Sequence, residues 1–234
     1  MEKDLLDNPE MIMDIIGWDV MNWTAALDYW GKILTKNTGG KALEIGAGPG
    51  GISLFIAKCG LDVLCSDLDN PKERVSALHD KYEHKNTISY EAINALEIPY
   101  ENHFDVVVFK SVIGGVARGG QDERRNLVME QICKCLKPGG YLLFAENLIS
   151  SPLHQFFRKH FVQWGSEWNY GTEQNMKDAM SKFVELNYRT TGFLGAFGRT
   201  EFQRRLLSSA DKVLLNKIVP KSWHYIMYGS ARKN

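Results

Sequence analysis

The chain has 234 residues, 44% of them hydrophobic, and its 28 basic and 28 acidic side chains give a formal net charge of zero. That length suits one domain with a full core, and the charge balance gives no whole-chain attraction to nucleic acid or an anionic membrane. No window approaches the roughly 18 apolar residues of a membrane helix, the acidic start MEKDLLDNPEMIMD does not read as a signal peptide, and Cys59, Cys65, Cys133 and Cys135 are spaced for neither a metal site nor a disulfide framework, so reduced thiols in the cytoplasm are expected.

Residues 10–36 carry helical spacing in two pieces, with Ala26, Trp30, Ile33 and Leu34 recurring, Asn22 as the expected N-cap and Thr38-Gly39-Gly40 as the stop. From Lys41 onward, strand and helix patterns alternate. KALEIG reads as a strand, ISLFIAKC as a helix ended by Gly60, and DVLCSD as a second strand. Asn70-Pro71-Lys72-Glu73 offers an N-cap, a proline at the first helical position and a capping-box glutamate. A third strand falls near Thr87 to Glu91, and FDVVVFK is apolar enough to be buried on both faces.

DERRNLVMEQICKCL follows as an amphipathic helix with Leu127, Val128, Ile132 and Leu136 on one stripe, ended by Lys137-Pro138-Gly139-Gly140. YLLFAE reads as a fifth strand, and Ser151-Pro152 opens a helix through about Phe161. YRTTGFLG reads as a strand, Thr200 caps a helix to about Lys217, and SWHYIMYGSA closes the chain as a strand. Alternation of this kind predicts an α/β fold, an open and mostly parallel sheet wrapped by helices on both faces.

The stretch ALEIGAGPGG holds glycines at 46, 48, 50 and 51 on a strand-to-helix turn. Such a turn presents backbone N–H groups at a helix N-terminus, and glycine lets a ligand approach them. Asp67 ends the next strand, 21 residues after Gly46, where a carboxylate accepts from the ribose hydroxyls of an adenosine. Loop and acid alone fit NAD and S-adenosylmethionine (SAM) equally. Glu44 favours SAM, because a carboxylate there repels a pyrophosphate and attracts the methionyl ammonium. The roughly 40 aromatic-rich residues ahead of the loop also depart from a dehydrogenase.

EIGAGPG, SDLD, INALEIPYENHFDVVVFKSV and LKPGGYLLFAEN, in that order, resemble the class I SAM-dependent methyltransferase family over residues 40–150. The resemblance implies a seven-stranded sheet with its last strand antiparallel, and SAM across the carboxyl ends of the first four strands. By position it places Gly46, Gly48 and Gly50 at the methionine moiety, Asp67 at the ribose, and Asn94 and Ala95 at the adenine edge, where the family more often has an Asp than Asn94. Leu68 is expected against the adenine, and Lys110 and Ser111 beside the methionine through their backbone. The expected organisation is a helical N-terminal lid at 1–38 and a SAM-binding domain at 39–234, with 151–188 an acceptor-binding insertion.

No base is evident. Gly114 and Gly115 stand where the family often has a His or Asn, and with Gly119 and Gly120 they suggest a mobile active-site loop. Glu146 at the end of the fifth strand and His160 beyond it are the candidates for proton transfer, with His154 a further helical histidine. His79, His84 and His103 read as solvated. Aromatic residues cluster at Trp18, Trp23, Tyr29 and Trp30, and again at Phe156, Phe157, Phe161, Trp164, Trp168 and Tyr170, which suits a flat acceptor. The expected activity is methyl transfer from SAM to a small molecule, at oxygen rather than nitrogen, with sugars or secondary metabolites favoured. The alternatives are an RNA or protein acceptor and a non-catalytic SAM-binding module. No metal is expected.

Overall fold

The computed structural model describes residues 8–83, 87–161 and 168–234. Helices α1 (Pro9–Ile16) and α2 (Val20–Leu34) precede β1 (Lys41–Ile45), α3 (Gly51–Lys58), β2 (Asp62–Asp67), α4 (Lys72–Lys81), β3 (Ile88–Ala92) and β4 (Phe104–Lys110). Then come α5 (Ile113–Val116), α6 (Glu123–Cys135), β5 (Leu136–Asn147), α7 (Pro152–Phe161), α8 (Glu173–Ala179), β6 (Val184–Thr191), α9 (Glu201–Ala210) and β7 (Ile226–Arg232). The seven strands form one sheet in the order β3-β2-β1-β4-β5-β7-β6. All neighbouring pairs are parallel except β7, which runs antiparallel between β5 and β6. This is the expected doubly wound α/β sheet.

The alternation of β1 sorts its side chains onto two cores. Ala42 faces the side packed by α1, α2 and α3, where Trp23, Leu27, Trp30 and Leu34 are fully buried. Leu43 and Ile45 face the other side, packed by Val128, Met129, Ile132 and Cys135 of α6 and by Met176 and Ala179 of α8. The N-terminal helices are thus a layer of the core. Trp30 Nε1 donates to Gly229 O at 3.2 Å, pinning α2 to β7.

Several local expectations need correction. The N-cap of α2 is Asp19, at φ 45°, and Asn22 is a buried residue inside the helix. Its Nδ2 lies 2.9 Å from Ser208 Oγ, 3.0 Å from Tyr225 Oη and 3.1 Å from Asp211 Oδ2, joining α2 to α9 and to the residue just before β7 through a buried polar knot that includes Asp19. Asn70 Oδ1 accepts from Lys72 N at 3.0 Å, with Pro71 just outside α4 and no capping box formed. On α6, Leu127 is exposed, because the buried stripe runs through Val128 and Met129 instead. Lys137-Pro138-Gly139-Gly140 is not a loop but the first part of β5, entered directly from α6. Thr200 does cap α9, accepting from Gln203 N at 3.3 Å.

Candidate active site

Parallel strands bring their carboxyl ends to one edge, and ligands of such sheets bind there. At that edge lies a cleft of about 590 Å³ lined by Gly46, Gly48, Asp67, Leu68, Asn94 and Ala95, six of the nine expected cofactor residues. Ser111, Val112 and Trp168 complete its far wall. The glycines differ in why they are glycines. Gly46 (φ 68°) faces the protein, and a Cβ there meets Val112 Cγ2 at 2.5 Å. Gly48 (φ 50°) has nothing within 4 Å of an added Cβ, so its open side is the cleft. Gly50 does not line the cleft; its added Cβ meets Val75 Cβ at 2.7 Å and His79 Nε2 at 2.9 Å.

His79 is a correction. It is buried, not solvated: Nε2 lies 2.9 Å from Gly50 O and Nδ1 2.8 Å from Tyr90 Oη, and burial lowers its pKa. It braces the turn from below. Arg74 braces it from the side, donating from Nε to Gly48 O at 2.9 Å and from Nη2 to Asp67 Oδ2 at 2.7 Å. Asp67 also accepts from Gly48 N at 3.2 Å and Leu68 N at 2.8 Å, so its carboxylate is fixed at the cleft mouth. Leu68 is 69% exposed beside it, a rim residue and not core. Asn94 Oδ1 accepts from Leu96 N at 3.0 Å, an Asx turn that turns its amide N–H group into the free end.

Glu44 and Lys110 lie behind the cleft and do not line it. Glu44 is buried under the turn, where its carboxylate accepts from Ser53 N at 2.9 Å and from Ser53 Oγ. Burial pushes it up to about 8, against the Ser53 hydrogen bonds. Lys110 Nζ donates to Ile16 O at 3.3 Å and sits 4.6 Å from the Trp23 ring centroid, with burial lowering it to about 8.

Neither proton-transfer candidate is placed to act. Glu146 is buried, its Oε2 accepting from Val112 N at 2.9 Å and Ile113 N at 2.8 Å, and its Oε1 from Asn147 N at 3.0 Å. Three backbone donors make it the anchor of the α5 N-terminus and leave it no face toward the cleft, while burial raises it to about 7. His160 is exposed on α7, with its ring centroid 4.6 Å from that of Phe156, and lines neither cleft nor pocket. His154, one turn into α7, is the buried one. Its Nδ1 is 2.7 Å from Ser151 Oγ and its Nε2 2.8 Å from Phe193 O, and burial lowers it to about 4. A neutral ring that donates to Phe193 O and accepts from Ser151 fills both bonds. His103 packs against Tyr100 and Phe104, and His84 and Trp164 lie outside the described residues.

The expected mobile loop is also different. Gly114 and Gly115 lie on or beside α5 under the indole of Trp168, which any side chain at 114 would overlap. Asn169 N donates to Gly114 O at 3.0 Å, and Arg125 Nη2 to Asn169 O at 2.6 Å, fixing Trp168 over the cleft. The glycines are small to admit that ring.

A second pocket, of about 490 Å³, opens beyond β5. Its wall is Trp18 from before α2, Asn147 at the end of β5, His154, Phe157, Arg158 and Phe161 of α7, Tyr170, the segment Ala196 to Arg199, Arg204 and Tyr225. One hydrogen bond links a wall residue of each cavity, Asn147 Nδ2 donating to Ser111 Oγ at 2.9 Å. Ser111 has φ 56°, a left-handed conformation uncommon for a residue with a side chain and characteristic of positions whose geometry matters. Segment 193–204 reads in the sequence as the end of a strand and a helix capped by Thr200, and not as a pocket wall.

Residues 43–144 match the family described as a methyltransferase domain. A highly reducing polyketide synthase, sor1, from Hypocrea jecorina (strain QM6a) is 27% identical over 181 residues, 70% of this chain. The chain spans only 7% of that relative's length. Among solved structures, phosphoethanolamine N-methyltransferase 2 from Haemonchus contortus with SAM is 17% identical over all of this chain and 60% of its own, with a TM-score of 0.61. Geranyl diphosphate methyltransferase with SAM is 15% identical over 88% of this chain and 84% of its own, TM-score 0.59. The [4+2]-cyclase SpnF, 13% identical over 87% and 79%, has a TM-score of 0.59, so the fold by itself does not fix the reaction. Residues 43–144 thus match a methyltransferase domain, and the chain shares its seven-stranded fold with solved SAM-binding methyltransferases.

Proposed function

We propose that the chain transfers the methyl group of SAM to a small molecule held in the aromatic pocket, with oxygen the acceptor atom. The observation that carries this is the hydrogen bond that links the walls of the two cavities, from Asn147 to Ser111 at the carboxyl ends of adjacent strands β5 and β4. The cleft fits the cofactor in shape and donor set. Gly48 leaves room for a ligand, Asp67 offers a fixed carboxylate to ribose hydroxyls, and Ala95 with Leu68 offers apolar surface to adenine. In this reading Asn94 donates to the adenine edge, the backbone at Gly46 and Lys110 flanks the methionine tail, and Glu44 supports the turn from beneath through Ser53. When bound, SAM supplies a sulfonium methyl for in-line displacement.

The protein's share is alignment and exclusion of water. Trp168 covers one side of the cleft, and His154, Phe157, Phe161 and Tyr170 with Trp18 enclose the acceptor, which is the part of the expected lid and insertion that this reading keeps. With Glu146 and His154 both fully bonded, the acceptor arrives ionised or releases its proton to water. No carboxylate lines the pocket among the described residues, so an ammonium-bearing acceptor finds no partner there, which favours oxygen. The polyketide synthase relative supports a secondary metabolite over a sugar. The four cysteines are free thiols, in keeping with a cytoplasmic setting, and no helix among the described residues is long and apolar enough to cross a membrane. The formal net charge of zero argues against nucleic acid.

The test is incubation with SAM labelled in its methyl group and panels of phenols, hydroxy acids, sugars, amines and RNA. Label is expected in hydroxylated small molecules. Binding of SAM with label in no acceptor refutes transfer, and label in amines or RNA refutes the assignment of acceptor.

A further inference from the structure

The aromatic pocket has a charge character that its methyl-transfer role does not require. Three guanidinium groups line it, Arg158, Arg199 and Arg204, and no acid does among the described residues. In a chain with equal numbers of acids and bases, such one-signed lining is a local choice. The three arginines are not equivalent. Arg204 is committed: its Nε donates to Gly198 O at 3.0 Å, its Nη1 lies 3.6 Å from Glu201, and its guanidinium lies 5.7 Å from the Trp18 ring centroid. It shapes the turn that ends the pocket.

Arg158 is different. It lies on the α7 face that also carries His154 and Phe161 into the pocket. Its guanidinium lies 3.9 Å from the Tyr170 ring centroid, and Nη1 donates to Leu148 O at 2.7 Å and Ile149 O at 3.1 Å. Those contacts fix its plane. Among the described residues they leave Nε and Nη2 without a hydrogen bond, and no carboxylate reaches the group. Burial lowers its pKa, the cost of a cation with no counter-charge beside it. Arg199 stands exposed at the mouth, its backbone N donating to Gln203 Oε1 at 2.9 Å and its side chain without an ion-pair partner among the described residues. One guanidinium is thus held rigid, and one is exposed without an ion-pair partner among the described residues, with Phe157, Phe161 and Phe197 on the same pocket wall.

We infer that the acceptor carries an anionic group, a carboxylate or a phosphate, on an apolar ring or chain, and that Arg158 and Arg199 hold that group while the phenylalanines take the apolar body. A planar guanidinium with two free N–H directions matches a carboxylate or phosphate edge, and Phe157, Phe161 and Phe197 favour a flat or unsaturated body. The anion would also supply the missing counter-charge of Arg158. This rests on the aromatic pocket being the acceptor pocket.

The test is calorimetric titration of three probes that share one ring: 2-naphthoate, 2-naphthyl phosphate and neutral 2-naphthalenemethanol, each with SAM titrated separately. At least one anion is expected to bind about tenfold more tightly than the alcohol, and only the anions are expected to weaken with added salt. The ratio of the two anions distinguishes carboxylate from phosphate. R199Q is expected to erase most of the anion preference while leaving alcohol and SAM affinities unchanged. R158Q does the same; should it not fold, R158K, which keeps charge but loses the planar fork, is expected to weaken the anions alone. Equal affinity for alcohol and anions, no anion binding, or an equal loss for all three probes in R199Q overturns the inference. Failure of SAM to bind, with the anion preference intact, overturns the methyl-transfer reading instead.

Discussion

Gly46 and Gly48 are two residues apart on one turn, and the structure gives them opposite reasons to be glycine. An alanine at 48 meets nothing within 4 Å, so the fold bears only the left-handed backbone at φ 50°, about 1–2 kcal/mol. At about 2–4 °C per kcal/mol for a chain of this size, the melting temperature of Gly48→Ala should fall by about 2–8 °C. An alanine at 46 bears the same cost at φ 68° and adds a 2.5 Å collision with Val112, which overpacking data put at about 1–3 kcal/mol. Its melting temperature should then fall by about 4–20 °C. Binding should separate the two the other way. The new methyl at 48 occupies cleft space, and about 1–3 kcal/mol of lost complementarity weakens SAM about five- to 150-fold. Differential scanning calorimetry and titration of SAM into both variants read these effects. Wild-type SAM affinity in Gly48→Ala refutes the placement of the ligand against that face of the turn.

Glu146→Ala should lower stability by about 2–5 kcal/mol, because three backbone N–H groups lose their acceptor; a variant with wild-type melting temperature and abolished turnover would restore Glu146 as a base. His160→Ala should stay within about 0.5 kcal/mol of wild type and keep full activity, whereas His154→Ala, which cuts the link from Ser151 to Phe193, should lower the melting temperature and acceptor binding together. Stability should fall with rising pH across the neutral range. Burial holds Asp19 and Glu146 protonated to about 7 and Glu44 to about 8, while it lowers His79, His154 and His224 below their ordinary 6.5. The histidines oppose the carboxylates in acid, so it is from about 6.5 upward that the folded state binds more protons than the unfolded one and stability is lost toward pH 8. Thermal unfolding over that range reads the slope, and Glu44→Gln should flatten its upper part; a rising slope contradicts the burial of these groups.

The sheet was legible because its signals are local. KALEIG, DVLCSD and FDVVVFK are apolar runs ending in turn chemistry, and all three are strands within a residue of their expected limits. The cleft was legible for the same reason, since Gly46, Gly48, Asp67 and Asn94 each sit at a strand end, where a parallel sheet converges. What escaped depends on partners far away in the chain. His79 reads as a solvated helical residue until Gly50 and Tyr90 close on it. Glu146 reads as a rim carboxylate until the N–H groups of Ile113 and Val112, 33 and 34 residues earlier, take its Oε2. Gly114 reads as a hinge until Trp168 fills the space above it. Arg199 and Arg204, on an unpatterned stretch after β6, acquire meaning only when α7 and Trp18 bring aromatic rings opposite them.

The central claim is that the cleft at Gly48 and Asp67 binds SAM through its adenosine and methionine ends together. Its most direct test is calorimetric titration of wild type and Asp67→Ala with SAM, S-adenosylhomocysteine and NAD. SAM and S-adenosylhomocysteine should bind wild type and NAD should not, and Asp67→Ala should weaken both ligands by about 1–3 kcal/mol. Binding of NAD in place of SAM, or unchanged SAM affinity in Asp67→Ala, would contradict the account.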